Sequence, residues 1–273
     1  MSTKDKKNYI LKDKEEEELF RLKFQHQVWS EETDYMLKKA GVCNGQTVLD
    51  LGCGPGYLSY DLSKIVGPEG KVIAVDKSEK FTDYLKHRIN EESLNNLQVI
   101  QSDLENFSPD AGTIDTALSR WVLMFVSEPE IIIENVVKVL KPKGIFAVFE
   151  YYQFLNMHIW PASKAFDKVY NSVYEHIKMY GGDADIGAKI PELFHKYGLK
   201  ILETYPVFRI AKPDSPFWKW LEVTSINHDM LVKENLITGE ELQEYYKDWS
   251  EHSKNSSAFF STPPVLVTIG MKE

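Results

Sequence analysis

The stretch Val48-Leu49-Asp50-Leu51-Gly52-Cys53-Gly54-Pro55-Gly56 decides the architecture. An apolar strand runs straight into three alternating glycines, and a helical pattern follows over 58–66. Glycines at such a turn permit positive φ and let a ligand lie against bare backbone. The first N–H groups of the following helix then face whatever is bound. Outward from this turn, apolar strands are expected at 71–75, 97–101, 114–119 and 145–150. Helical patterns lie between them. Ser78 is placed to cap a helix that runs to Asn90 and buries Phe81, Leu85 and Ile89. Ser127 and Glu130 have capping-box spacing before a helix ending near Leu140. Strands alternating with helices imply a mostly parallel sheet covered on both faces, an α/β doubly wound fold of Rossmann-like type.

Asp76 ends the second strand, where a carboxylate can accept both hydroxyls of a ribose. A dinucleotide turn would need G-x-G-x-x-G, but the last position falls on Tyr57 or Ser59. Pro55 also removes a backbone donor that a pyrophosphate could use. Asp50 would repel a pyrophosphate and suits an ammonium group; hydrogen bonding to the turn amides is its other role. The charges favour a ligand with a ribose and an amino-acid end over NAD.

Residues 45–152 resemble the class I S-adenosylmethionine-dependent methyltransferases. Asp50-Leu51-Gly52-Cys53-Gly54-Pro55-Gly56 resembles that family's first signature, and Asp76 its second. Gln101-Ser102-Asp103-Leu104 is similar to the third, where the family sets an acidic side chain on the adenine amino group. Ser119-Arg120-Trp121 is similar to the end of strand four, beside the methionine portion. Leu140-Lys141-Pro142-Lys143-Gly144 resembles the turn before strand five. The resemblance implies S-adenosylmethionine as cofactor and S-adenosylhomocysteine as product. It implies cofactor contacts from Asp50, Gly52, Gly54, Gly56, Asp76, Lys77, Ser102, Asp103, Leu104, Ser119 and Arg120. Tyr9, Arg21 and Gln25 further resemble a subgroup of small-molecule methyltransferases in which an N-terminal tyrosine and an Arg–Gln helix close over the cofactor. Gly181-Gly182-Asp183 and Gly187 resemble the same subgroup.

Each assignment has a plainer competitor. The glycines also serve a tight strand–helix turn, Asp76 a solvated strand end, and Asp103 a helix cap. Arg120 fits a surface ion pair as well as a ligand contact, and Trp121 fits the core. The glutamate run Glu15–Glu18 reads as a solvated helix start, favoured by the helix dipole and capped by Asp13. A second helix is expected over 31–40, with Ser30 as its cap.

The organisation expected is a helical lid over 1–44, the cofactor-binding core over 45–152 and an aromatic substrate cap over 153–187. Residues 188–273 would complete the sheet, with a helix at 190–197, strands at 199–210 and 265–271, the last one antiparallel, and a helical insert at 213–255. No strand signal is present over 151–187.

Of the 273 residues, 43% are hydrophobic and 27% charged, enough for a substantial core. The net charge of −9 opposes extended contact with a phosphate backbone. The two cysteines, Cys43 and Cys53, match no zinc or disulfide spacing. No apolar run has the length of a leader or membrane span, so a cytoplasmic protein is expected, as a monomer or homodimer without metal, nucleic acid or membrane partner. The function expected is methyl transfer to oxygen, nitrogen or carbon of a small molecule. RNA or protein methylation is the second reading, although no N-P-P-Y type motif follows strand four. A binding module that holds the cofactor without transfer is the third. A sulfonium methyl is already electrophilic, so alignment and exclusion of water are the main tasks. Candidates for a general base are Glu150, Tyr152, His158 and His176, with Tyr151, Tyr170, Tyr174 and His228 beside them.

Overall fold

The computed structural model describes residues 15–107 and 109–273. Strands β1 (Thr47–Leu51), β2 (Lys71–Asp76), β3 (Leu97–Gln101), β4 (Ile114–Arg120) and β5 (Leu140–Tyr151) are parallel. They alternate with α3 (Tyr57–Val66), α4 (Glu79–Glu92) and α5 (Pro129–Val139), after α1 (Glu15–Val28) and α2 (Ser30–Lys39). The chain then adds β6 (Ile159–Trp160), α6 (Lys164–Met179), α7 (Ile190–Lys196), β7 (Leu199–Val207), β8 (Ile210–Ala211), α8 (Pro216–Thr224), α9 (Asp229–Lys233), α10 (Gly239–Lys254), β9 (Phe259–Ser261) and β10 (Val265–Lys272). The main sheet has the order β3-β2-β1-β4-β5-β10-β7, with β10 antiparallel to both neighbours. Val48, Leu49 and Leu51 are buried, as a strand covered on both faces requires. The strand order reverses between β1 and β4, and a crevice opens there at the carboxyl ends of the strands.

Several local expectations give way. Helix α5 begins at Pro129, whose fixed φ suits the first helical position, so Glu128 becomes the N-cap and no Ser127–Glu130 capping box forms. Glu130 instead accepts from Lys196 and Tyr197 on the next helical layer. Ser30 is the first residue of α2 and not its cap, because α1 and α2 meet at Trp29 without an intervening loop. Ser78 does cap α4, accepting from the Phe81 N–H; Leu85 is fully buried, whereas Phe81 and Ile89 are half-buried. The strand expected over 199–210 divides. Regular pairing stops at Val207, and its last residue, Ile210, opens β8, which joins β6 and β9 in a separate small sheet.

Trp29 joins the layers. It is fully buried and meets Trp121, Phe149, Phe217 and Trp220 edge-on at 4.9 to 6.0 Å. One ring thus ties α1 and α2 to the ends of β4 and β5 and to α8. Removing such a side chain costs about 3–5 kcal/mol. Among the described residues, no helix is long and apolar enough to cross a membrane.

Candidate functional site

The glycine turn combines two kinds of constraint. Gly52, Gly54 and Gly56 all have left-handed φ, at 63°, 54° and 79°. A Cβ on Gly52 would meet the Val122 side chain at 2.5 Å, and one on Gly56 would meet Leu85 at 2.3 Å. A Cβ on Gly54 would meet nothing within 4 Å. Gly52 and Gly56 therefore serve close packing, while Gly54 leaves open space above the turn. The Gly54 N–H donates to Asp76 Oδ2 and the Ser78 N–H to Asp76 Oδ1, each at 2.8 Å. These bonds hold the β2 carboxylate beside the turn. Burial nevertheless raises the Asp76 pKa, marking a desolvated acceptor.

Asp50 lies beneath the turn instead of on the cavity wall. It is 2% exposed, accepts the Ser59 hydroxyl at 2.5 Å, and is pushed up to about 6 by burial. Cys53 lines the cavity, and burial pushes its thiol up, so no reactive thiolate forms.

Arg120, at the end of β4, is half-buried. It donates to Thr33 Oγ1 at 2.8 Å and to His26 Nδ1 at 3.2 Å; His26 Nε2 donates to Asp61 at 2.9 Å. Burial lowers the Arg120 pKa to about 10, still far above neutrality, so the guanidinium is a fixed positive charge at the cavity wall. It is not a surface ion pair. Trp121 follows with φ 54°, a strained conformation for a non-glycine residue. Its backbone N–H donates to the Phe149 carbonyl at 3.0 Å, and its side chain lines the cavity.

Helix α1 roofs the same space. Arg21 donates through Nε and Nη2 to Glu18, each at 2.6 Å, and through Nη1 to Gln25 at 3.2 Å. The indole of Trp220 also donates to Gln25, at 3.3 Å, and Asn227 to Glu18 at 3.3 Å. Glu18 is 3% exposed, so the last residue of the glutamate run is interior and not part of a solvated helix start. The i,i+3 spacing of Glu18 and Arg21 reads equally as an exposed pair, and the contact with Asn227 lies 209 residues away, so its burial was not signalled locally. Asn227 and Trp220 were likewise missed as cavity residues, as were Met157 and Pro263. Tyr9 lies outside the described residues.

A cavity of about 330 Å³ connects these parts. Arg21, Gln25, Gly52, Gly54, Asp76, Lys77, Asp103, Leu104 and Arg120 line it. Gly56, Ser102 and Ser119 stand behind the wall: Ser102 donates to the Asp103 carbonyl, and Ser119 is fully buried. Beyond the turn the walls are apolar and aromatic, from Met124, Phe154, Tyr170, Ile177, Trp220 and Met230.

The general-base candidates separate. Glu150 is fully buried in β5 and accepts the N–H groups of Val122 and Leu123 at 2.7 and 2.8 Å, which folds the chain after Trp121. It does not reach the cavity. Tyr152 and His158 are also off the wall, and His158 is exposed. Tyr174 turns away to Asp185 at 3.1 Å. Tyr151, Tyr170, His176 and His228 do line the cavity. Burial pushes the Tyr170 phenol well up and His228 down to about 3, so both are neutral.

The residues present suit S-adenosylmethionine. Gly54 leaves space for a ligand, Asp76 offers a carboxylate at the strand end, and a mostly apolar chamber adjoins them. A methyltransferase-domain family model matches residues 43–217. The chain is 27% identical over 190 residues to demethylmenaquinone methyltransferase of Lactococcus lactis, covering 66% of this chain and 74% of that one. It is 32% identical over 162 residues to the ubiquinone/menaquinone biosynthesis C-methyltransferase UbiE of Salmonella paratyphi B. That match covers 59% of this chain and 62% of the relative, less than two thirds of its length. Geranyl diphosphate C-methyltransferase from Streptomyces coelicolor, solved with geranyl diphosphate and S-adenosylhomocysteine, shares the fold. Its TM-score is 0.59 at 14% identity, covering 91% of this chain and 80% of that one. The chain belongs to the methyltransferase-domain family and is an S-adenosylmethionine-dependent methyltransferase.

Proposed function

We propose that the chain methylates an apolar small molecule enclosed between the glycine turn and α6, α8 and α9. One observation carries this reading: a single cavity runs from Gly54 and Asp76 to walls formed by Met124, Phe154, Tyr170, Ile177 and Met230. An acceptor enclosed there is aligned and shielded from water, which supplies most of the rate for an electrophile as reactive as a sulfonium methyl. Asp76 accepts the ribose hydroxyls, and Asp103 receives the adenine amino group. Arg120 provides positive charge for the amino-acid carboxylate, and Asp50 adds negative charge from below the turn. Helix α1 closes over the cofactor through Arg21 and Gln25, as the lid of the core. The aromatic segment over 153–187 and the helices over 213–255 cap the acceptor.

A mostly apolar cavity and a net charge of −9 support a small acceptor over an RNA or a protein. The names of the Lactococcus and Salmonella relatives support the same class, and that of the Salmonella relative, a C-methyltransferase, supports carbon as the atom methylated. The test is methyl release, followed as S-adenosylhomocysteine formation, against a panel of apolar ring and prenyl compounds beside RNA and protein substrates. Turnover confined to the macromolecules would overturn the proposal. Tight cofactor binding with silence across the whole panel would favour a binding module.

A further inference from the structure

The acceptor chamber is mostly apolar, with Tyr151, Tyr170, Thr224 and Asn227 as further polar side chains, and its two histidines each carry a ring nitrogen without a protein partner. His176 is 1% exposed in α6 and lines the cavity. Its Nδ1 lies 2.5 Å from Glu234 Oε2, and the other Glu234 oxygen accepts the Tyr180 hydroxyl at 2.6 Å. Its Nε2 is buried and bonded to nothing. His228, just before α9, is 3% exposed, lines the same cavity, and leaves Nδ1 buried and unbonded. A carboxylate on Nδ1 fixes that nitrogen as the N–H donor and leaves the lone pair on Nε2. An unmade hydrogen bond at a buried nitrogen is costly, so a ligand hydroxyl is strongly favoured there over a purely hydrocarbon surface.

We infer that the acceptor is an apolar molecule bearing an acidic hydroxyl, a phenol or an enol, and that the His176–Glu234 dyad receives its proton at His176 Nε2. This rests on the small-molecule reading above and specifies its substrate class. The proton moves from the acceptor O–H to Nε2. The electron pair left behind, on the oxygen or delocalised onto a ring carbon, forms the bond to the methyl carbon while sulfur keeps the pair of the broken S–C bond. A ring carbon methylated in this way returns its own hydrogen to the oxygen as a proton. One proton therefore leaves through His176 for each methyl transferred. Glu234 is a positioning residue, because it touches only the far nitrogen of the ring.

The test uses the full chain saturated with S-adenosylhomocysteine, with naphthol and naphthalene as probes. Wild type is expected to bind naphthol at least tenfold more tightly than naphthalene by titration calorimetry. His176→Gln is expected to lose most of that preference, its affinity for naphthol falling toward its affinity for naphthalene. Glu234→Gln, a partly exposed substitution that keeps the imidazole, is expected to weaken the preference. Nitrogen-15 spectra of labelled histidine supply a readout that a merely structural role would not move. The His176 signals should report the Nδ1–H tautomer in wild type, a mixture in Glu234→Gln, and an Nε2 shift on adding naphthol. No preference for naphthol in wild type, or a preference and an Nε2 signal indifferent to these substitutions, overturns the inference. Failure of S-adenosylhomocysteine to bind would instead overturn the function reading itself.

Discussion

The Gly54 N–H donates to the Asp76 carboxylate at 2.8 Å, so the turn after β1 and the end of β2 form one unit. The same carboxylate is held by the Ser78 N–H and is partly desolvated. It is thus aimed before any ligand arrives. Asp76→Ala removes a charged acceptor and loosens the turn. Charged hydrogen bonds contribute about 1.5–3 kcal/mol each, so S-adenosylhomocysteine affinity is expected to fall on the order of 10–100-fold by calorimetry. Unchanged affinity would remove Asp76 from the cofactor site.

Gly54 and Gly56 are expected to fail differently. Gly56→Ala forces a Cβ onto Leu85 and a left-handed residue without glycine's freedom. Overpacking costs about 1–3 kcal/mol and the backbone about 1–2 more, so Tm should drop by roughly 5–10 °C. Gly54→Ala meets no neighbour and carries only the backbone strain. Its Tm loss should be the smaller of the two, while its loss of cofactor affinity should be the larger. Thermal melts with and without S-adenosylhomocysteine separate the cases.

How far this was legible in the sequence follows from the range of the interactions. The Gly52–Gly56 turn, Asp76 and the parallel alternation are local patterns, visible within one strand and its turn. Ser127 and Glu130 carried a correct local signature that Pro129 overrode, because a proline at the first helical position sets the boundary itself. Glu150 had the right residue type at a strand end for a base, yet only the fold shows its carboxylate turned onto the Val122 and Leu123 amides. The roof of the cavity was illegible for a different reason. Glu18 and Asn227, or Gln25 and Trp220, are single polar residues in unrelated segments, brought together by helix packing alone.

Glu150 makes a pH prediction. Burial pushes it up to about 8, against an ordinary carboxylate value of 4.5. The folded chain keeps a proton there that the unfolded chain releases, so the native state binds more protons across that interval. Its contribution to stability is therefore present at low pH and is lost as pH rises from about 4.5 through about 8. Asp50, pushed up to about 6, has the same sign over a lower window. Glu150→Gln stays neutral and keeps an acceptor for the two amides. Its Tm should match wild type near about pH 4 and exceed it near about pH 9. A difference that does not change with pH would contradict this. Glu150→Ala strands both N–H groups, at about 1–3 kcal/mol each, and should be destabilised at every pH.

The Glu18–Arg21 pair predicts the kinetics of the lid. Arg21 spends two donors on Glu18, and the pair is tied to the C-terminal half through Asn227 and, by way of Gln25, through Trp220. Opening α1 therefore breaks bonds to α8 and to the segment before α9 together, while the Trp29 cluster holds the far end of the helix. Glu18→Gln keeps the shape but weakens the grip on a nearly buried guanidinium. Arg21→Lys keeps the charge but loses the fork that engages both oxygens. Each is expected to speed S-adenosylhomocysteine release about tenfold in stopped-flow displacement, roughly 1.4 kcal/mol, with a smaller effect on the association rate. Lys23→Ala, an exposed change on the same helix, should leave release unaltered. If all three variants release the ligand at the wild-type rate, α1 is a fixed wall of the cavity and the cofactor leaves by another route.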